Sequence, residues 1–159
     1  MGDVYFYQLT RSPLEVALPQ LLARASGQGW RVAVRLTSAE RLDWLDQKLW
    51  LGPEDGFLPH AIAGTKHEEA QPVLLCMGPD LPKGCDCLMI ADGAALTTAE
   101  AAAAKRACIL FDGNNEAALA HARSQWKELT DAGLAAQYWS EEDGSWRKKA
   151  ESKPVQKSG

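Results

Sequence analysis

Three histidines, four cysteines and one cluster on a helix, Arg123, Trp126 and Lys127, are the side chains of this 159-residue chain from which chemistry could be built. The histidines His60, His67 and His121 do not pair at the i, i+3 or i+4 spacing that lets two ligands share a helix face. Cys85-Asp86-Cys87 is a C-x-C, too short for a zinc knuckle and without a second pair downstream. Strand alternation would send its two thiols to the same face, where cysteines ordinarily serve as core. Gly27-Gln28-Gly29 ends a helix and opens a strand, the reverse of the order a phosphate-binding turn requires, and a third glycine is absent. With no G-x-S-x-G elbow, no P-loop and only scattered carboxylates such as Glu54, Asp55, Glu141, Glu142 and Asp143, no catalytic residues, metal ligands or cofactor site are assigned. The Arg123, Trp126 and Lys127 cluster is different. At i, i+3 and i+4 these residues share a helix face, where an aromatic ring can bury an apolar side chain while the guanidinium takes a carboxylate. The same spacing also suits a core tryptophan flanked by two solvated cations.

Composition narrows the class. With 46% hydrophobic and 24% charged residues the chain has the make-up of a soluble globular domain, long enough to bury a core without staples. No apolar run approaches the length of about 18 residues that a membrane span needs, and MGDVYFYQLT is patterned as a strand, so no membrane partner and a cytoplasmic location are expected. Cys76, Cys85, Cys87 and Cys108 are expected as reduced, partly buried thiols. From Arg147 onward there are five basic residues and one acidic, so the net charge of −4 leaves −8 on the first 146 residues. An acidic body argues against a nucleic-acid-binding face. We expect one α/β domain over 1–146 and a basic, disordered tail over 147–159.

The elements that would position these residues alternate. Val4–Leu9 is patterned as a strand, followed by helical spacing of Leu14, Leu21, Leu22 and Ala25, and by a strand from Trp30 to Leu36 with Arg31 and Arg35 opposite Val32 and Val34. Ser38 caps a second helix carrying Leu42, Leu45 and Leu49. Trp50 to Gly64, with Gly52, Pro53, Gly56 and Pro59, is punctuated as a loop. Pro72–Cys76 and Asp86–Ile90 are strands; Thr97 and Glu100 have capping-box spacing before a short alanine helix. Ala107–Phe111 is a strand and Asn115–Ala132 the longest helix, closed by Gly133. Leu134–Trp139 is expected as an edge strand. This order predicts an α/β fold, three-layer and Rossmann-like, with a mostly parallel central sheet and helices on both faces.

The string Trp50-x-x-Pro53-x-x-x-Phe57-x-Pro59-His60, preceded by Leu42-Asp43 and followed by Ala63-Gly64, resembles the chi subunit of bacterial DNA polymerase III, an accessory protein of the clamp-loader complex. Phe6-Tyr7-x-Leu9, and Ala122-Arg123, Lys127 and Ala132-Gly133 of the long helix, extend the likeness. The resemblance implies no catalytic activity. It implies binding of the acidic, Phe-ended C-terminal tail of single-stranded-DNA-binding protein at Arg123, Trp126 and Lys127, with Trp126 standing where the family has tyrosine. It further implies a contact with the psi subunit, where one exists, at Trp50, Pro53, Phe57 and His60, and mainly indirect contact with DNA. Two family basic positions are Leu119 and Thr130 here, and Arg147, Lys148 and Lys149 are candidates to replace them. The other reading of the same sequence is a degenerate nucleotide-dependent enzyme or small-ligand-binding protein on a Rossmann-like fold.

Overall fold

Near-continuous apolar runs such as VAVRL, broken only by Arg35, and VLLCM belong to parallel strands covered on both faces, and the computed structural model places both inside the sheet. It describes residues 3–10, 13–50, 60–62, 72–77, 84–142 and 145–152. In chain order the elements are β1 (Asp3–Leu9), α1 (Leu14–Gly27), β2 (Val32–Leu36), α2 (Ala39–Trp50), β3 (His60–Ile62), β4 (Val73–Met77), β5 (Cys87–Ile90), α3 (Thr98–Ala103), β6 (Arg106–Asp112), α4 (Glu116–Asp131), β7 (Ala136–Glu142) and β8 (Ser145–Ser152). Among the described residues they form one eight-stranded sheet in the order β3-β4-β2-β5-β6-β1-β7-β8. Every pairing is parallel except β7 with β8.

Alternation along the strands divides the core in two. Val32, Val34, Leu36, Val73, Leu75, Met89 and Leu110 face one way and pack with Leu18 and Leu22 of α1 and Leu45 of α2. Val4, Phe6, Ala33, Leu88, Ile90, Ala107 and Ile109 face the other way, onto Ala101 of α3 and Ala122 and Leu129 of α4. Helices on both faces of a mostly parallel sheet are the expected three-layer architecture. The connections leaving β2 and β5, which are neighbours, lead in opposite directions, so the sheet has a switch point between them.

Local signals act where they were read. The Ser38 hydroxyl accepts from the Arg41 amide at 3.2 Å, and the Thr97 and Glu100 capping box is complete; Asn115, read as the first residue of the long helix, is instead its N-cap, accepting from the Ala118 amide at 3.0 Å. Gly133 follows α4 with φ 91°, a left-handed conformation that glycine adopts without strain.

Three expectations change. The Trp50 to Gly64 stretch is not all loop, because His60–Ile62 pairs in parallel with Val73–Leu75 of β4. β7 is not an edge: it lies between β1 and β8. The assignment of residues 147–159 to a disordered tail fails for its first part, since residues 147–152 belong to β8, paired with β7 from Ala136↔Ser152 to Glu142↔Ser145. Seven-residue β7 would otherwise expose a row of backbone donors and acceptors, and Trp146 fixes the added strand by setting its ring edge-on to Tyr7 at 5.2 Å. Residues 153–159 lie outside the described residues.

Candidate functional site

The face formed by α4, β1 and β7 begins with helix periodicity. Ala122, Gln125 and Leu129 turn inward and are buried, whereas Arg123 and Lys127 are exposed on the same helix. Trp126 falls between these two sets and is half-buried. Its ring packs against Phe6 of β1 with centroids 5.4 Å apart and against Tyr138 of β7 at 6.1 Å. Phe6 and Tyr138 are register partners on neighbouring strands, their rings 12° from parallel, and Phe111 of β6 approaches Tyr138 at 5.9 Å. Four rings thus form one cluster, each such pair worth about 0.5–1.5 kcal/mol beyond its buried area. One part of the Trp126 indole is core, and another part reaches the surface on the helix that carries the two exposed cations.

Polar groups finish this surface. The Tyr138 hydroxyl donates a hydrogen bond to the Gln8 Oε1 atom. Burial pushes the Tyr138 phenol up from its ordinary value while the Arg123 charge pulls it down, which puts the Arg123 guanidinium in the field of the ring cluster. Thr130, at a position basic in the resembled family, donates its hydroxyl back to the Trp126 carbonyl at 2.7 Å, and Leu119 packs on the apolar core. Arg147 pairs in register with Ser140, which alternation places on the same sheet face as Tyr138, so Arg147 stands on the α4 side of β8. Lys148 is opposite Trp139 on the other face and bonds Glu151 at 3.1 Å. Tyr138 was not singled out from the sequence, because its neighbour Phe6 lies 132 residues earlier; the only signal was its place two residues after buried Ala136 in an alternating strand.

The second predicted cluster is only partly described. Trp50 is the last residue of α2 and His60 the first of β3, and α2 packs against β3 and β4, so both ends of the stretch lie at the β3 edge of the sheet. Pro53 and Phe57 lie outside the described residues.

At the strand carboxyl ends a cavity of about 940 Å³ opens, bordered by the turns after β1, β2, β5 and β6 and by the start of α4. Across its rim the Asp92 carboxylate takes a two-pronged contact from Arg41, at 2.7 and 3.0 Å, and the Arg41 guanidinium stacks over Trp44 at 3.9 Å. A buried ion pair lies elsewhere. Arg35, 4% exposed on β2, meets Glu100 of α3 at 2.9 and 2.6 Å and the Ala95 carbonyl at 2.6 Å. Its hydrogen bonds, helped by the Thr97 amide, hold the Glu100 carboxyl down at about 2.

The thiols separate rather than cluster. The expectation that Cys85 and Cys87 share a face is corrected: Cys87 belongs to the α1 and α2 side and Cys85 packs on the α3 and α4 side, because the strand starts only at Cys87. Burial raises the Cys76 thiol to about 11, and the neighbouring Cys87 together with burial raises Cys108 well above the usual thiol value. All four cysteines are unpaired by disulfides. Among the described residues no three histidine, cysteine or acidic side chains group as a metal site, and no helix is long and apolar enough to cross a membrane.

A mostly parallel, Rossmann-like sheet with helices on both faces defines the α/β class of the protein, and α4 carries a half-buried aromatic ring beside two exposed cations. Residues 1–137 match the family model of the DNA polymerase III chi subunit, HolC, and the chain belongs to that family. It is an accessory component of DNA polymerase III, a family not known as catalytic in itself. No curated protein matches the chain.

Proposed function

We propose that this chi-family protein is an adaptor that joins coated single-stranded DNA to the clamp loader, by binding the acidic, Phe-ended tail of single-stranded-DNA-binding protein on α4. The observation that carries the reading is the half-buried Trp126, braced by Phe6 and Tyr138 and flanked by exposed Arg123 and Lys127. Arg123 takes the terminal carboxylate, a charge-assisted contact, and the open part of the indole stacks on the final aromatic ring. Lys127 and Arg147 meet the acidic residues that precede it. The psi subunit, where present, docks on the stretch with Trp50, Pro53, Phe57 and His60. That stretch is attached to the β3 edge, some four to six strands from the sheet beneath α4, or roughly 20–30 Å at about 4.8 Å per strand. Partners at such a separation bind together without competing.

Calorimetric titration with an acidic peptide ending in phenylalanine tests the tail site. Arg123→Ala costs about 1.5–3 kcal/mol, a loss on the order of ten- to a hundredfold in affinity. Equal affinity of the parent and the variant sinks the assignment.

A further inference from the structure

A second aromatic cluster lies on the sheet face opposite Trp126 and has no part in the proposed tail site. Strand alternation brings Tyr5 and Tyr7 of β1, Trp139 of β7 and Trp146 of β8 to the α1 side, where Trp30, just before β2, joins them. Tyr7 and Trp139 are register partners, and the Tyr7 ring lies 6.3 Å from Tyr5 and 5.2 Å from Trp146. All five rings line one pocket of about 190 Å³. That volume falls short of the roughly 300–1,000 Å³ of an ordinary small-molecule site and is close to the cavity of about 150 Å³ that holds a benzene ring. The pocket therefore takes one planar ring, within a row of rings that runs from Tyr5 through Tyr7 to Trp146.

Cations border the same pocket. The Arg106 guanidinium sits over Tyr5 at 4.3 Å and over Trp30 at 4.9 Å, and Arg24 stands exposed on α1. Among the described residues neither side chain makes an ion pair or a hydrogen bond. A guanidinium stacked on rings still has its in-plane N–H groups to offer an oxyanion. Among the described residues no carboxylate lines the pocket: Asp3 and Glu141 lie further along β1 and β7, and Glu151 is bonded to Lys148. The charge of the site is therefore positive, although the body of the protein is acidic.

We propose that this face binds single-stranded nucleic acid directly, with one base seated in the pocket and its phosphates on Arg24 and Arg106. A strand brings a planar ring and an anion in every unit, which is the repeat that a row of rings edged by unpaired cations matches. A duplex keeps its ring faces stacked on one another and has none to offer. Trp139 is set for stacking, because its indole N–H donates to the Gln137 Oε1 atom at 3.0 Å and fixes the ring. With two phosphate contacts and a charge of −8 on residues 1–146, the contact is weak and falls with salt. It supplements attachment through a protein partner and does not replace it.

Fluorescence anisotropy of a labelled oligothymidylate, titrated with the full chain over a series of salt concentrations, decides the matter. The strand binds, a blunt duplex of the same length binds much more weakly, and log affinity falls against log salt with a slope of about −1.4 for two phosphate contacts. Arg24→Gln weakens binding and makes that slope shallower by about 0.7. Trp139→Leu weakens binding about five- to a hundredfold and leaves the slope unchanged. Arg123→Ala, on the opposite face, binds the strand as the parent does, and an acidic peptide ending in phenylalanine does not displace it. Arg24 is exposed, so its variant carries the test even if Trp139→Leu fails to fold. The proposal is overturned if no strand binds, if the duplex binds as well, if the acidic peptide displaces the strand, or if Arg24→Gln keeps the affinity and slope of the parent.

Discussion

Replacing Glu100 by glutamine isolates the buried charge pair from everything around it. Glutamine keeps the length of the side chain, and its carbonyl can still accept from the Thr97 amide, so the capping box of α3 survives. What disappears is the negative charge facing Arg35, whose side chain is 5% exposed and cannot turn to water. The guanidinium retains the Ala95 carbonyl but faces a neutral amide where two carboxylate oxygens stood. Breaking a fully buried pair costs about 3–5 kcal/mol. The Glu100 side chain is 20% exposed, so water reaches one partner and the expected loss at pH 7 falls to about 2–3 kcal/mol. For a chain of this size that lowers the melting temperature by about 4–12 °C. A pH series adds an independent reading. Arg35 holds the folded-state Glu100 carboxyl at about 2, below an ordinary value of 4.5, so its contribution is fully present above pH 4.5 and is lost as the pH falls toward 2. The parent therefore loses stability across that window more steeply than Glu100→Gln does. Chemical denaturation of both proteins between pH 7 and pH 2.5 measures the two effects. A variant within about 0.5 kcal/mol of the parent at pH 7, with the same acid slope, refutes the claim that this pair holds α3 to β2.

Gly113 stands where a Cβ would come within 2.5 Å of Gln8 Cγ, 2.8 Å of Gln8 Nε2 and 2.9 Å of Thr10 Cγ2. Gly113→Ala is accordingly expected to cost about 1–3 kcal/mol in urea denaturation and, by displacing Gln8, to remove the acceptor of the Tyr138 hydroxyl; an unchanged midpoint contradicts this. Among the thiols, Cys85 is partly exposed while Cys76, Cys87 and Cys108 are buried, so iodoacetamide at pH 8 labels Cys85 first under native conditions. Peptide mass mapping checks the order, and earlier labelling of Cys108 contradicts the packing described.

Much of the architecture was legible because its signals are local. Ser38, the Thr97 and Glu100 box and Gly133 act within four residues of their own helix ends, and each appears in its expected role. The features that were not legible depend on strand order. SWRKKAES has no alternating apolar pattern, and it becomes β8 because β7 offers it an edge and Tyr7 offers Trp146 a ring. Arg35 was readable only as the other face of a strand; its burial depends on Glu100, 65 residues later. Of the candidate site, the spacing of Arg123, Trp126 and Lys127 was visible, while Tyr138 and Phe6 were not, since only β1 beside β7 makes them neighbours.

The half-buried state of Trp126 bears directly on how the proposed tail site would work. A surface aromatic on a free helix must be ordered when a peptide arrives, at about 0.5–1.5 kcal/mol for each immobilised side chain. Trp126 is already held on two sides by rings from β1 and β7, and the Tyr138 ring is in turn anchored through its hydroxyl to Gln8. The stacking platform is therefore part of the core and is set before the ligand binds. Such bracing also explains how the position can accept an indole where the resembled family has a phenol. The larger ring keeps one edge packed and presents the remainder outward, and in the proposed complex Arg123 and Lys127, exposed and one turn apart, would adjust to the carboxylates of an extended acidic peptide.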